Sequence, residues 1–99
     1  MAYVKDVLKL NYGNHEEVFD YASNVELNIL PRLIHIRESG DGAIIHKVNS
    51  MIYLMAAWRD MYQNEDSESL KLMDAVTYRE YVRTAEMWLL DKAQSLLGN

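Results

Sequence analysis

The 99-residue chain has no cysteine, one proline, four glycines and one phenylalanine. Each shortage excludes something. Without cysteine there are no disulfides, no thiolate nucleophile and no Cys-ligated zinc. So few turn residues favour long helices over many short strands. No stretch approaches 18 consecutive apolar residues, so no membrane-spanning helix is expected. The opening residues, MAYVKDVLKL, hold no uninterrupted apolar run of the secretory kind, and a cytoplasmic location is the default expectation. Basic residues are also scarce. Ten Lys and Arg against fifteen Asp and Glu give a formal charge of −5, the opposite of what binding to nucleic-acid phosphates requires.

What remains is ordinary globular material, 49% hydrophobic and 25% charged. The central feature is DGAIIHKVNSMIYLMAAWRDMY, from Asp41 to Tyr62. Ile44, Val48, Met51, Met55, Trp58 and Tyr62 recur in steps of four and three, which puts all six on one helical face. Ile45, Ile52 and Ala56 widen that face, whereas Leu54 and Met61 lie off it and Tyr53 lies opposite. About 22 residues of helix span roughly 33 Å, the height of a small domain.

Two further helices flank it. Asn14 is a good N-cap, Glu16, Glu17 and Asp20 suit the positive end of a helix dipole, and Val18, Ala22, Val25, Ile29, Leu33 and Ile36 step by three and four. Pro31 falls inside this pattern, and because the apolar phase continues past it a kink is expected rather than a break. Gly40 can close this helix and Asp41 can cap the next. After the polar connection Gln63–Asp66, either Asp66 or Ser67 caps a last helical region. It holds a short pattern of Leu70, Met73 and Val76 and a longer one of Tyr78, Val82, Ala85, Leu89, Ala93 and Leu96. Thr77-Tyr-Arg-Glu80 has capping-box spacing, so the region either bends near Thr77 or runs straight through it.

The expected fold is all-α: an antiparallel three-helix bundle over residues 14–38, 41–63 and 67–97, with the first helix kinked at Pro31. Residues 1–13 form an N-terminal arm or short helix, with a short strand as the other reading of Leu8, Leu10 and Tyr12. The other architectures are a helical hairpin completed by a second copy, or four helices if Thr77 starts one.

Motifs for catalysis are sparse. None of the six serines sits in a Gly-x-Ser-x-Gly elbow or a Ser-x-x-Lys pair, and Gly40-Asp-Gly42 is no phosphate loop. His35, Glu38 and His46 could approach one another across a hairpin. They offer one His-x-x-Glu pair where di-iron bundles use repeated Glu-x-x-His. Glu17-x-x-Asp20 resembles half of a magnesium pair but stands where acids cap helices anyway. No cofactor and no bound metal are expected.

Seven Tyr, two Trp and six Met are many for this length. Tyr21, Tyr53, Tyr62, Tyr78 and Tyr81 cannot all be core in a small bundle, because each hydroxyl needs a partner or water. Tyrosine, tryptophan and methionine are enriched at interfaces. Tyr53, Leu54, Met61, Tyr62 and Tyr3 are therefore the expected contacts to a partner protein or a second copy. Arg59, Arg79 and Arg83 form a possible grip for a small anion of nucleotide type, Arg79 and Arg83 being one turn apart. The leading functional expectation is a non-enzymatic, homo-oligomeric accessory or regulatory protein, of a kind that viruses also encode.

Overall fold

A computed structural model describes residues 13–97, with side chains described for 13–92. The expected contacts of Tyr3, and the expected arm or short helix up to Tyr12, lie outside the described residues. Three helices account for most of the rest: α1, His15–Ser39; α2, Gly42–Asn64; and α3, Glu68–Leu97. All three pairs of helices pack on one another, α1 with α3 most extensively. The order is up, down, up, so α2 is antiparallel to both neighbours and α1 runs parallel to α3. The bundle measures 50 × 26 × 21 Å, and its Cα radius of gyration of 15.3 Å exceeds the roughly 13 Å of an equally long rounder chain.

The helix starts follow from the capping chemistry. Asn14 accepts a hydrogen bond from the Glu17 amide at 2.8 Å, and Asp41 accepts one from the Ile44 amide at 3.0 Å. The Ser67 carbonyl accepts the first helical bond of α3, from the Lys71 amide at 3.0 Å. Gly13 has φ of 81°, which a side chain would strain, and so turns the chain into the Asn14 cap. Gly40 ends α1 for a different reason. Its φ of −91° suits any residue, but a Cβ there would stand 2.9 Å from the Ile36 carbonyl oxygen and 2.8 Å from the Ile44 side chain. Space, not a left-handed turn, requires glycine.

α1 runs unbroken through Pro31, whose ring lies on the exposed side. Proline has no N–H, so the Leu27 carbonyl one turn back loses its usual partner. Leu27 is itself exposed, so the lost bond lies on the solvent side of α1 and not in the core. α3 is one helix rather than two. The Thr77 hydroxyl donates to the Met73 carbonyl at 2.9 Å, as Thr84 does to Glu80, so Thr77 bonds backwards into the helix instead of capping a new one.

That continuity sets the phase of the core. Tyr78, Val82, Ala85 and Leu89 are buried as their spacing predicts, and the same phase extends back through Ala75 to Leu72. The expected stripe of Leu70, Met73 and Val76 belongs to a separate helix that does not form. Leu70 and Met73 are exposed, and Val76 is half-buried. Val18, Ala22, Ile29 and Leu33 of α1 meet Val48, Met51, Met55 and Tyr62 of α2 in the interior. Three fully buried alanines, Ala22, Ala75 and Ala85, let the helix backbones approach closely. Phe19 joins the two parts of the core, stacking on Tyr62 at 4.3 Å and tilting against Tyr78 at 5.4 Å.

Two substitutions test this account. Met55→Asp places a charge in a fully buried site and should abolish the cooperative unfolding transition seen by circular dichroism. Pro31→Ala restores a donor to the Leu27 carbonyl and should stabilise the fold by about 1–3 kcal/mol, read as a higher melting temperature.

Candidate functional site

The chemistry-bearing residues fall into four groups. The first lies inside the bundle and contains a residue that spacing did not single out. Glu26 continues the buried face of α1 and is 3% exposed. Its Oε1 accepts from the Tyr78 hydroxyl of α3 and, at 2.9 Å, from Arg59 Nη1 of α2. One carboxylate oxygen thus ties together all three helices. Burial works against the Arg59 charge, but the Glu26 carboxylate beside it more than compensates, and the guanidinium is held above its ordinary pKa. Burial likewise pushes the Tyr78 phenol well up, reinforced by its hydrogen bond to Glu26, so it stays protonated and donates. The signal available beforehand was Glu26 adjoining an apolar stripe. The sequence offered no means of pairing it with residues 33 and 52 positions away.

Arg59 is therefore committed to Glu26 and does not line the cleft that holds Arg79 and Arg83. The expected three-arginine grip is split.

The second group closes one end of the bundle. His15 at the start of α1 bonds the Tyr62 hydroxyl through Nδ1 and the Glu68 carboxylate through Nε2, both at 2.8 Å. In the neutral ring this places the proton on Nε2, with Tyr62 donating to Nδ1. Lys71 donates to the Tyr62 carbonyl at 3.1 Å, where the last turn of α2 lacks intrahelical donors, and lies 4.5 Å from the Tyr62 ring centroid. Tyr62 is accordingly buried within its own chain rather than offered to a partner, which corrects the expectation for that residue. Nearby, Asp74 Oδ2 is buried, and no donor among the described residues reaches it. Burial and the facing Glu65 carboxylate raise the Asp74 pKa, with Lys71 opposing.

The third group is the outer side of α2. Tyr53 is 71% exposed and Met61 50%, while Leu54 is half-buried. Tyr53 and Leu54 border an open depression of about 360 Å³ shared with His46, Asn49 and Ser50. Deeper on the α2–α3 seam, Trp58 stacks with Tyr81 at a centroid distance of 6.2 Å.

The fourth is a cleft of about 290 Å³ between α1 and α3, lined by Tyr21, Ala22, Val25, Arg79, Val82, Arg83 and Glu86. Arg79 lies over the Tyr21 ring, 5.6 Å from its centroid. Arg79 and Arg83 do share one site, as their one-turn spacing predicts. Tyr21 joins them only through the register of α1 on α3.

His35, Glu38 and His46 are all exposed, and no group of three His, Cys, Asp or Glu among the described residues is placed to hold a metal ion. No helix among the described residues is long and apolar enough to cross a membrane.

Glu26→Gln removes the charge that Arg59 and Tyr78 face, and chemical denaturation should show a loss of about 2–3 kcal/mol. Combined with Tyr78→Phe, the double variant should lose less than the sum of the singles by about 1 kcal/mol. Asp74 binds its proton more tightly folded than unfolded, so stability falls as pH rises from the ordinary carboxyl range through the raised native pKa. Asp74→Asn should thus raise the melting temperature at neutral pH, with the gain vanishing below about pH 3, where Asp74 is protonated in both states. Set against known proteins, the chain matches no family model, no curated protein and no solved structure.

Proposed function

We propose that this protein acts by binding another protein, a second copy of itself included, through the outer side of α2. It works as an accessory or regulatory subunit rather than by catalysis. The observation that carries the reading is Tyr53. It stands on the side of α2 opposite the buried Val48, Met51 and Met55, and 71% of its surface is open to solvent.

Several features support this assignment. An exposed tyrosine offers a large, rigid contact surface at low conformational cost, with a hydroxyl that bonds across an interface. Met61 adds an exposed thioether, which adapts to irregular partner surfaces. The open depression beside Tyr53 and Leu54 is edged by the polar groups of His46, Asn49 and Ser50. An apolar centre with a polar margin is the usual anatomy of a protein contact. Tyr53, Leu54 and Met61 therefore remain the proposed contacts. Tyr62 leaves the set because it serves the core.

Tyr53→Glu tests the proposal. Tyr53 is largely exposed and makes no hydrogen bond among the described residues, so helix content should stay as in the parent. Sedimentation equilibrium should show the parent as an oligomer and the variant shifted towards monomer by at least tenfold in dissociation constant, about 1.4 kcal/mol. A parent that is monomeric at all concentrations would remove self-association. Capture of a native partner that survives Tyr53→Glu unchanged would remove this face.

A further inference from the structure

The solvent side of α2 has a pattern that is balanced about its own middle. The helix runs from Gly42 to Asn64, and Tyr53 is its central residue. His46 and Asp60 stand seven residues before and after Tyr53. Seven residues are just under two turns, so all three lie on one side of the helix. All three are exposed. Between them the side chains are short: Asn49 and Ser50 are exposed and Ala57 is half-buried. No ion pair among the described residues engages His46 or Asp60. Asp60 adds to the field on its neighbour Arg59, whose salt bridge is to Glu26.

We infer that the occupant of this face is a second copy of the chain, bound antiparallel about a two-fold axis beside Tyr53. The inference rests on the α2 contact face proposed above and adds the identity of the partner and its direction. In a two-fold contact one patch serves both subunits, so every pairing occurs twice. With the axis at Tyr53, that ring meets the partner's Tyr53. His46 meets the partner's Asp60, and Asp60 meets the partner's His46. A protonated imidazole makes this an ion pair, and a neutral one still donates an N–H to the carboxylate. A parallel pair would instead set Asp60 against Asp60, and would bring together two ends that each hold Glu65, Asp66 and Glu68. Charge therefore selects the antiparallel arrangement.

Shape agrees. Helical side chains lean towards the helix N-terminus, which carries Tyr53 over the turn of Asn49 and Ser50. The open depression of about 360 Å³ lies on that half of α2, bordered by His46, Asn49, Ser50, Tyr53 and Leu54. An antiparallel partner brings its Ala57 and Asp60 to the same place, and the alanine methyl leaves room for the ring. The contact is one helix wide, against roughly 20–30 residues a side in a standard interface, so it is weak and concentration-dependent.

The chain has no cysteine, so one introduced cysteine gives one labelled site. Ala43→Cys and Gln63→Cys, both at exposed positions ten residues from Tyr53, each carry a nitroxide for double electron–electron resonance on the full chain at high concentration. An antiparallel pair centred on Tyr53 gives both variants the same separation, about 30 Å from the rise of an α-helix. Any other antiparallel register lengthens one and shortens the other, and a parallel pair makes both short. Charge reversal supplies a second readout, by sedimentation equilibrium at low salt. His46→Asp sets aspartate against aspartate twice and should weaken association by about tenfold, with helix content unchanged. Adding Asp60→Lys to His46→Asp rebuilds both pairs with their signs exchanged and should restore association at least to that of the parent.

Unequal separations, two short separations, a His46→Asp variant that associates as the parent does, or a double variant that stays weak would each overturn the inference. If Tyr53→Glu still dissociates the parent oligomer, the α2 face survives such a failure. An oligomer that Tyr53→Glu leaves intact removes the face and this inference together. A parent that is monomeric at all concentrations overturns this inference, while a different captured protein lost on Tyr53→Glu would keep the face.

Discussion

A carboxylate almost free of solvent contact is expensive in any protein, and in this one it sits at the meeting point of all three helices. Glu26 persists there because Tyr78 and Arg59 both donate to the same oxygen and Arg59 brings the compensating charge. The arrangement is demanding. Sliding any one helix by a turn, about 5.4 Å, would leave a buried charge facing hydrocarbon. Apolar stripes tolerate such slips far better, since leucine, valine and methionine exchange neighbours at modest cost. The triad therefore selects one register among several that hydrophobic burial alone would accept. Every other site on the molecule inherits its geometry from that choice, the juxtaposition of Tyr21 with Arg79 included.

The His15 clasp does related work at one end of the bundle. It ties the first turns of α1 and α3 to the last turn of α2. Lys71 adds a donor where α2 has spare carbonyls. Together these contacts hold the ends of helices whose middles are fixed by Glu26. Phe19 and Tyr62 make the connection between the two regions apolar and continuous.

Most of the architecture was legible because helical periodicity is a local signal. Asn14, Asp41, Gly40 and the three stripes place the elements to within a residue or so. Where the reading failed, the information was not local. Thr77 has a capping residue's identity and spacing, yet a hydroxyl mid-helix is satisfied equally well by the carbonyl four residues back. The alternative with a boundary at Thr77 goes with a short stripe of Leu70, Met73 and Val76, whereas the continuous helix buries Leu72 and Ala75. The tyrosines divide in the same way. Each hydroxyl needs a partner, but the sequence does not show that Tyr62 finds His15 and Tyr78 finds Glu26, while Tyr53 has open water. Arg59 was read as part of an anion grip because the carboxylate it pairs with, Glu26, lies on another helix. The pairing of Arg79 with Arg83 was visible because it lies within one helix, one turn apart.

The up-down-up order also gives the molecule an electrical polarity. The starts of α1 and α3 and the end of α2 lie together, and that end holds Glu16, Glu17, Asp20, Glu65, Asp66 and Glu68. The end of α1 and the start of α2 lie at the other, where Arg32, Arg37 and Lys47 are nearly balanced by Glu38 and Asp41. The bundle is 50 Å long, several times the roughly 8–10 Å over which physiological salt screens charge. To anything approaching it, the protein therefore presents one acidic end and one nearly balanced end rather than an average charge of −5. A charged group approaching the acidic end meets a local field that the far end does not share, and added salt weakens it.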